Sequence, residues 1–258
     1  MSRLHKPKAG FWIRLCVAVL YPLDALLFRL RFRDLDRVPA PPEPVIIAIN
    51  HLSFIDTVVM ARLVWQTGRI PRFMIKSDAF HLPVIGTVFR GAKQIPVYRG
   101  TADAADSLRD AARALDEGEC VVIYPEGTIT RDPAKWPMQG RTGIARLALL
   151  RPDVPIVPIG QWGAHLAFDL PNKVVRPCPR KRLTAQAGEP LDLSGYRDAE
   201  PTGATLREIT DLVMTAIRDQ VADIRGEQPP ADFYKAATLP GTKRPKRRPH
   251  LPHRSHTD

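Results

Sequence analysis

Cysteine is scarce in this sequence, and its few cysteines are poorly placed for cross-linking or metal binding. Only three of the 258 residues are cysteine, and Cys16, Cys120 and Cys178 are far apart and lack the spacing of metal ligands. Neither a disulfide framework nor a zinc site is therefore expected, and a reducing compartment is the default. A chain of this length can bury a substantial core and is most simply one domain with appendages.

The sequence also lacks an uninterrupted apolar run long enough to span a membrane. A spanning helix needs about 20 mostly apolar residues. The most apolar stretch, residues 11–32, is broken by Arg14, Pro22, Asp24 and Arg29. No small-residue cleavage site follows it, which argues against a secretory signal. We expect two short helices in the headgroup region of a bilayer, anchored by Trp12 and Tyr21. The alternative is an ordinary amphipathic helix packed on the domain.

Acidic residues are too few to balance the basic ones. There are 27 Asp and Glu against 38 Lys and Arg, which gives a formal charge of +11. Residues 1–33 carry seven Lys or Arg and one Asp, and residues 225–258 carry eight Lys or Arg and three Asp or Glu, so residues 34–224 are neutral overall. This distribution is typical of a protein that binds an anionic lipid surface. A non-enzymatic nucleic-acid-binding protein is the alternative, but the neutral body lacks aromatic-rich strands with interleaved cations, so no nucleic-acid partner is expected.

The spacing of apolar residues predicts strands that alternate with helices. Short apolar runs predict strands at residues 44–49, 73–76, 95–98, 121–124 and 156–159. Helical periodicity predicts helices at about residues 53–65, 101–117 (capped by Thr101), 141–150 and 206–224. The alternation predicts a single α/β domain with a mixed, largely parallel central sheet flanked by helices. Residues 174–193 are expected to hold an antiparallel pair.

Three regions follow from these patterns. Residues 1–33 are predicted to be a basic amphipathic membrane-interface segment, and residues 34–224 form the folded domain. Residues 225–258 are rich in Pro, Gly and basic residues, from which no core can be built. This tail is predicted to be disordered, and it is either simply solvated or an electrostatic tether to a bilayer.

The segment 50–56, NHLSFID, follows an apolar strand and carries a candidate general base with its orienting acid. His51 can accept a proton near neutral pH, and Asp56 would bind the other ring nitrogen and stabilise the imidazolium. Two alternatives stay open at this point. Ser53 or Asp56 could merely cap a helix, or His51 and Asp56 could be metal ligands, although a third ligand would then be needed.

Three further segments occur in a fixed order after the first. They read QIPVYR at residues 94–99, YPEGT at residues 124–128 and VPIVPI at residues 154–159. With NHLSFID they resemble the four blocks of the glycerolphosphate acyltransferase superfamily, and most closely those of the bacterial 1-acylglycerol-3-phosphate acyltransferases, which read roughly NHxSxxD, a short apolar run ending in Arg, FPEGTR and VPIVPV. The resemblance covers about residues 40–190.

The resemblance implies acyl transfer from a thioester donor, acyl-CoA or acyl carrier protein, to the hydroxyl of lysophosphatidate, giving phosphatidate. His51 and Asp56 would be the catalytic residues, without a covalent acyl-enzyme, a cofactor or a metal. The protein would work at the cytoplasmic face of the cell membrane as a peripheral or monotopic enzyme, with anionic lipids and the lysophospholipid acceptor as partners.

The resemblance also implies a set of substrate-binding residues. Arg99 is the leading candidate for the acceptor phosphate and Lys76 the next, although Lys76 could instead be a solvated strand end paired with a nearby acid. Glu126 would orient a cation or accept a hydrogen bond from the acceptor hydroxyl. Gly127 would allow close backbone approach, and Thr128 would offer a donor.

The chain departs from the family pattern at one position. Ile129 stands where the family has arginine after the threonine, and the nearest cation is Arg131. Either Arg131 binds the phosphate or another group does. The departure keeps other acceptors open: glycerol 3-phosphate, a lysophospholipid or a lipid amine.

Overall fold

A seven-stranded sheet forms the centre of the described part of the chain, which in this computed structural model comprises residues 9–98, 104–169 and 174–235. The strands are β1 (Phe28–Arg33), β2 (Val45–Ile49), β3 (Pro71–Lys76), β4 (Ile95–Val97), β5 (Cys120–Ile123), β6 (Ile156–Trp162), β7 (Phe168–Asp169), β8 (Val174–Val175) and β9 (Lys181–Ala187). The α-helices are α1 (Phe11–Leu27), α2 (Asp56–Gln66), α3 (Ile85–Gly91), α4 (Ala104–Asp116), α5 (Gly143–Leu150), α6 (Ala164–Ala167) and α7 (Gly203–Arg225). Single turns of 3₁₀ helix occur at Leu35–Arg37, Ser77–His81 and Ser194–Tyr196.

The strands of the main sheet are ordered β1-β9-β6-β2-β5-β3-β4. Strands β6, β2, β5, β3 and β4 are parallel to their neighbours in this series, whereas β9 is antiparallel to β6 and parallel to β1. The predicted α/β domain with a mixed, largely parallel sheet is confirmed. Because the five parallel strands end at one edge of the sheet, the loops that follow them lie close together there.

Both faces of the sheet are covered by helices. All five residues of β2 are buried, which explains why this strand is a continuous apolar run rather than an alternating one. Ile46 and Ala48 face a cluster completed by α4, α5 and α7, while Val45, Ile47 and Ile49 face a cluster completed by α1 and α2. Each fully buried aliphatic side chain stabilises the fold by about 1.5–3 kcal/mol.

The prediction of two short helices at the N-terminus was wrong. One helix, α1, continues through Pro22, which lies on its exposed face, so that the hydrogen bond lost at the proline is not a buried one. Residues 28–33, which were assigned to the membrane-interface segment, are instead strand β1 at the edge of the main sheet. Their sequence, FRLRFR, alternates apolar and basic residues, which is the period of a strand.

Two predictions for the C-terminal half also need correction. No antiparallel pair forms within residues 174–193, because β8 pairs with β7 and β9 joins the main sheet. The first residues of the predicted disordered tail return to the domain: the Gln139 amide donates to Tyr234 O at 3.1 Å, and Phe233 packs against the core. The rest of the predicted tail and the proposed Thr101 cap lie outside the described residues.

Within the described ranges, no helix combines the length and the hydropathy required to cross a bilayer.

Candidate active site

The loop that carries NHLSFID is anchored to the neighbouring strand by a reciprocal pair of hydrogen bonds. Asn50 Nδ2 donates to Gln161 O at 3.0 Å, and the Gln161 amide donates to Asn50 Oδ1 at 2.8 Å. Asn50 directly follows β2, and Gln161 is the last residue but one of β6, so this clamp fixes the loop at the carboxyl edge of the parallel strands.

The side chains of His51 and Asp56 meet in this loop. His51 Nδ1 lies 3.0 Å from Asp56 Oδ1 and 3.1 Å from Oδ2. The His51 side chain is 14% exposed and that of Asp56 is 0% exposed. The acid is therefore fully buried beneath an imidazole that still reaches the surface.

The Asp56 carboxylate accepts three further hydrogen bonds, all at Oδ2. The donors are the amides of Leu52 at 2.8 Å and Ser53 at 2.9 Å, and Gln161 Nε2 at 3.0 Å. With His51, four donors surround a group that can only accept when it is ionised. The Asp56 carboxylate thus holds both the backbone of the loop and the imidazole ring in place.

Ser53 was expected to cap the following helix, but it has a different partner. Its hydroxyl donates to Phe168 O at 2.5 Å, and α2 has no side-chain cap at Ile55, the residue before its first turn. The Ser53 hydroxyl also accepts a long hydrogen bond from the Ile55 amide, at 3.4 Å, whereas the amides of Leu52 and Ser53 donate to Asp56.

An aromatic ring supports the imidazole from one face. The rings of Tyr124 and His51 are stacked with centroids 4.2 Å apart and an interplanar angle of 23°, and Phe73 stacks on Tyr124 at 6.3 Å. Burial raises the pKa of Tyr124 well above its ordinary value, so its hydroxyl stays neutral. The imidazole is therefore restrained by a carboxylate in its plane and by a ring against its face.

Glu126 holds the backbone of the loop through both of its carboxylate oxygens. Its Oε1 accepts from the His51 amide at 2.8 Å and its Oε2 accepts from the Met138 amide at 2.9 Å. The residue is 2% exposed, and burial raises its pKa to about 8, although the two amide hydrogen bonds act in the opposite direction. Each oxygen thus accepts one backbone amide, and the predicted contact of Glu126 with a cation or with the acceptor hydroxyl stays a prediction.

The residues that follow Glu126 also contact the His51 backbone. Gly127 has φ +71°, a left-handed conformation that favours glycine. The amide of Thr130 donates to His51 O at 2.8 Å. Thr128 is half-buried, and the side chain of Ile129 is only 5% exposed and faces the interior. The position at which the family pattern has arginine is therefore a core position in this chain.

The predicted cations are not brought together by the described structure. Lys76 ends β3 at the same edge of the sheet, but its side chain is exposed and forms an ion pair with Asp78, as in the alternative interpretation of that residue. Arg131 is exposed on the loop after Thr130. Arg99, the leading candidate, lies outside the described residues.

An apolar groove of about 220 Å³ opens beside the loop, and its lining residues are Ser53, Phe54, Ile55 and Phe168. The ring of Phe54 lies edge-on to His51, with centroids 6.4 Å apart. The groove thus lies next to the imidazole.

Sequence reasoning missed two supporting residues, Gln161 and Tyr124, and read Asn50 only as part of a motif. Asn50 directly precedes His51, and Tyr124 lies two residues before Glu126. Their places inside the motifs could have suggested that they support the site. Gln161 is 105 residues from Asp56, and nothing local marks it as a partner.

Among residues 9–98, 104–169 and 174–235, no three or more His, Cys, Asp or Glu side chains are grouped so that they could hold a metal ion. Within these ranges the His51 and Asp56 pair has no third protein ligand.

Comparisons with known proteins found related sequences and a solved structure of similar fold. The chain is 28% identical to N-acylphosphatidylethanolamine synthase of Arabidopsis thaliana over 186 residues, 66% of this chain and 63% of that protein. It is 23% identical to 1-acyl-sn-glycerol-3-phosphate acyltransferase of Bacillus subtilis, over 80% of this chain and 95% of that protein. The crystal structure of the 1-acyl-sn-glycerophosphate (LPA) acyltransferase PlsC from Thermotoga maritima superposes with a TM-score of 0.57 at 17% identity, over 86% of each chain, and thus has the same fold.

The chain spans only part of several curated relatives, between 43% and 63% of the length of three plant proteins that it matches. The family model described as acyltransferase matches residues 29–162, which include His51, Asp56 and the YPEGT segment. The resemblance drawn from the motifs is confirmed, and this chain belongs to the acyltransferase family.

Proposed function

We propose that this protein is an O-acyltransferase that moves a fatty acyl group from a thioester donor to the hydroxyl of lysophosphatidate and so forms phosphatidate. The observation that carries the proposal is the His51 and Asp56 pair, in which a buried acid with four donors holds an imidazole at the edge of the sheet. The names of similar proteins, including the Bacillus subtilis acyltransferase, support this acceptor.

The reaction needs a base for the acceptor hydroxyl. Because Nδ1 of His51 faces Asp56, the proton would go to Nε2. The acceptor oxygen bonds to the thioester carbonyl carbon as Nε2 takes the proton. The carbon–sulfur bond then breaks, and the imidazolium returns the proton to the leaving sulfur. An ester and a free thiol result, and His51 ends in its starting form.

Asp56 stabilises the imidazolium of the intermediate and fixes the tautomer of His51. General-base catalysis of this kind contributes about 10²–10⁴ in rate, and the remainder comes from positioning. Glu126, Gln161 and Tyr124 supply that positioning through their contacts with the loop, the acid and the ring. The groove beside Phe54 would receive the first carbons of the acyl chain of acyl-CoA or acylated carrier protein.

The acceptor phosphate would be bound by cations around this edge of the sheet. Arg99, Lys76 and Arg131 remain the predicted residues, with a hydrogen bond from Thr128 and close approach at Gly127. A lipid amine is the second candidate acceptor, because Ile129 removes a cation from the loop and one similar protein is named N-acylphosphatidylethanolamine synthase.

The acceptor is tested with purified protein, a labelled acyl-CoA or acyl carrier protein, and a panel of acceptors. The panel comprises lysophosphatidate, glycerol 3-phosphate, a lysophospholipid with a choline headgroup and phosphatidylethanolamine. We expect turnover with lysophosphatidate to exceed that with the others. Turnover with phosphatidylethanolamine alone would replace this proposal with the second candidate.

The membrane contact that we propose is the outer face of α1. Its large exposed side chains are Phe11, Leu15, Val19 and Leu26, and the exposed charged residue among them is Arg14. A helix of 17 residues is about 25 Å long, and an apolar stripe of that length with a cation fits the surface of an anionic bilayer.

A second apolar feature lies at the edge of the sheet that carries His51. Leu82, Val84 and Ile85 are 50%, 76% and 47% exposed in the segment that follows β3. Because β1 runs antiparallel to β6, the C-terminal end of α1 reaches the same edge. Insertion of both features would turn the active site toward lipid at the cytoplasmic face of the membrane.

Sedimentation with vesicles tests this contact. We expect Leu15→Glu and Val19→Glu each to weaken binding to phosphatidylglycerol vesicles by about 10- to 100-fold, because an apolar side chain no longer enters the bilayer. Leu212→Glu, on an exposed position of α7, is the matched control and should bind normally. Normal binding by both α1 variants would remove α1 from the proposal.

A further inference from the structure

The side chain of Arg141 lies across the glycine of the PEGT loop. A Cβ built on Gly127 would be 2.7 Å from Arg141 Cδ and 2.8 Å from its Nε. The backbone joins the same two segments, since the Arg141 amide donates to Pro125 O at 2.8 Å. The absence of a side chain at residue 127 is therefore what allows this arginine to cross the loop.

The loop that Arg141 crosses is the one that contacts His51. Gly127 follows Glu126, whose carboxylate holds the His51 amide, and Tyr124 of the same loop stacks on the His51 ring. Arg141 also stands just before α5, whose N-terminal end lies at the carboxyl edge of β5 and has no side-chain cap. The positive end of the helix adds to the positive potential of the guanidinium there.

The guanidinium of Arg141 has no structural task within the described residues. The side chain is exposed, and in the described ranges its guanidinium makes no hydrogen bond or ion pair. Other arginines near the loops differ in this respect: Arg225 lies between the rings of Trp136 and Trp162, and Arg72 is paired with Glu119. A cation held against a catalytic loop without a partner is placed for an anionic ligand.

Ile129 and Arg131 are weaker candidates for the same task. Ile129 is uncharged and faces the core. Arg131 is exposed, but its backbone amide points to Met138 Sδ, and the described contacts do not join it to Gly127. Arg141 is therefore the cation that the described structure brings directly onto the PEGT segment.

We propose that Arg141 binds the phosphomonoester of the acceptor and does so from outside the PEGT segment, in place of the cation that position 129 lacks. This inference rests on the proposed function, because it requires a phosphorylated acceptor. The guanidinium presents a planar fork of donors that matches two phosphate oxygens. Arg141 would thus select acceptors by their headgroup, while His51 acts on the hydroxyl.

Three variants separate charge from packing. Arg141→Met keeps methylene groups over Gly127 but removes the guanidinium, and Arg141→Lys keeps a charge without the planar fork. Arg146→Ala is the matched control, because Arg146 is an exposed arginine one turn further along, on α5. We expect Arg141→Met to raise the KM for lysophosphatidate by about 10- to 100-fold with kcat changed less than about threefold. Arg141→Lys should recover part of the loss, and Arg146→Ala should match the wild type.

Binding of glycerol 3-phosphate, measured by calorimetry, distinguishes failure of this inference from failure of the proposed function. Loss of binding in Arg141→Met with retention in Arg146→Ala supports the role of Arg141, even if another phosphorylated acceptor proves to be the substrate. Equal binding by Arg141→Met and wild type overturns it, as does a fall in kcat with unchanged KM, which would make Arg141 a support of the loop. Absence of lysophosphatidate turnover in the wild type overturns the proposed function instead.

Discussion

Two aspartates among the described residues are completely buried, and they have opposite surroundings. Asp56 at the edge of the sheet accepts hydrogen bonds from four donors. Asp24 lies between α1 and the domain, and within the described residues neither of its oxygens accepts a hydrogen bond. Burial raises the pKa of Asp24 to about 6, although the nearby Arg62 acts in the opposite direction. A buried carboxylate with donors is an organised part of a site, whereas one without donors is a cost that the fold carries.

The surroundings of the two aspartates also differ in what they hold in place. The loop around Asp56 is tied to β6, to the PEGT segment and to Phe168, so the base is held before any substrate arrives. Helix α1 has an apolar outer face, and on its inner face it carries Asp24. Burial of the Asp24 carboxyl disfavours its charged form. The reaction is expected to depend on the first region and attachment to a bilayer on the second.

Among the residues that support His51, Asp56→Asn should have the largest effect on turnover. An amide nitrogen would face one of the four donors, so the variant loses both the correct His51 tautomer and one hydrogen bond. We expect kcat to fall by about 10²–10⁴ and the free energy of unfolding by about 1–3 kcal/mol. Rates with labelled acyl donor and urea denaturation measure the two effects. A variant with nearly normal kcat would remove Asp56 from the mechanism.

Glu126→Gln should have the next largest effect. Both carboxylate oxygens accept from backbone amides, and glutamine can satisfy only one of them. The unfolding free energy should fall by about 1–3 kcal/mol, and kcat should fall about tenfold as the His51 loop loosens. If Glu126 instead bound the acceptor hydroxyl, KM for the acceptor would rise without a loss of stability.

Gln161→Leu should lower activity without destabilising the fold. The variant removes the Nε2 donor to Asp56, but the Asn50 clamp uses the backbone of residue 161 and remains. Gln161 Oε1 is buried without a partner among the described residues, so its removal relieves an unsatisfied acceptor. We expect kcat to fall about tenfold and stability to change by less than about 1 kcal/mol. An unchanged kcat would show that three donors suffice for Asp56.

Asp24→Asn should have the smallest effect on turnover and should stabilise the protein. The pKa of Asp24 is 3.8 without burial and about 6 in the fold, so the native state binds the proton more tightly. Stability should therefore fall as pH rises from about 4 to 6 and stay low above that range, a penalty of at most about 3 kcal/mol. The asparagine variant lacks this penalty, and its melting temperature should exceed that of the wild type at pH 8 but not at pH 4.

Asp36→Asn changes an exposed carboxylate and is the matched control for this comparison. The same pH dependence in wild type and Asp24→Asn would mean that Asp24 is not the group that titrates.

Local patterns predicted much of the fold and the central pair of the site. The apolar run of β2, the periodicity of α7 and the spacing of His51 and Asp56 each depend on residues close in sequence, and such patterns report directly on local structure. Residues 28–33 combine a high basic charge, which is typical of a membrane-interface segment, with an alternation of apolar and basic residues that has the period of a strand. The tasks of Gln161 and Glu126 depend on partners 105 and 75 residues away. Their contacts arise from strand order, which no local pattern contains.

The most direct test of the central claim is the rate of acyl transfer from labelled acyl-CoA to lysophosphatidate by purified His51→Ala, compared with wild type at equal protein concentration. We expect a loss of about 10²–10⁴ in kcat in a protein that still folds, since Asp56 keeps its three other donors. A folded His51→Ala protein whose kcat stays within threefold of the wild type would contradict the account.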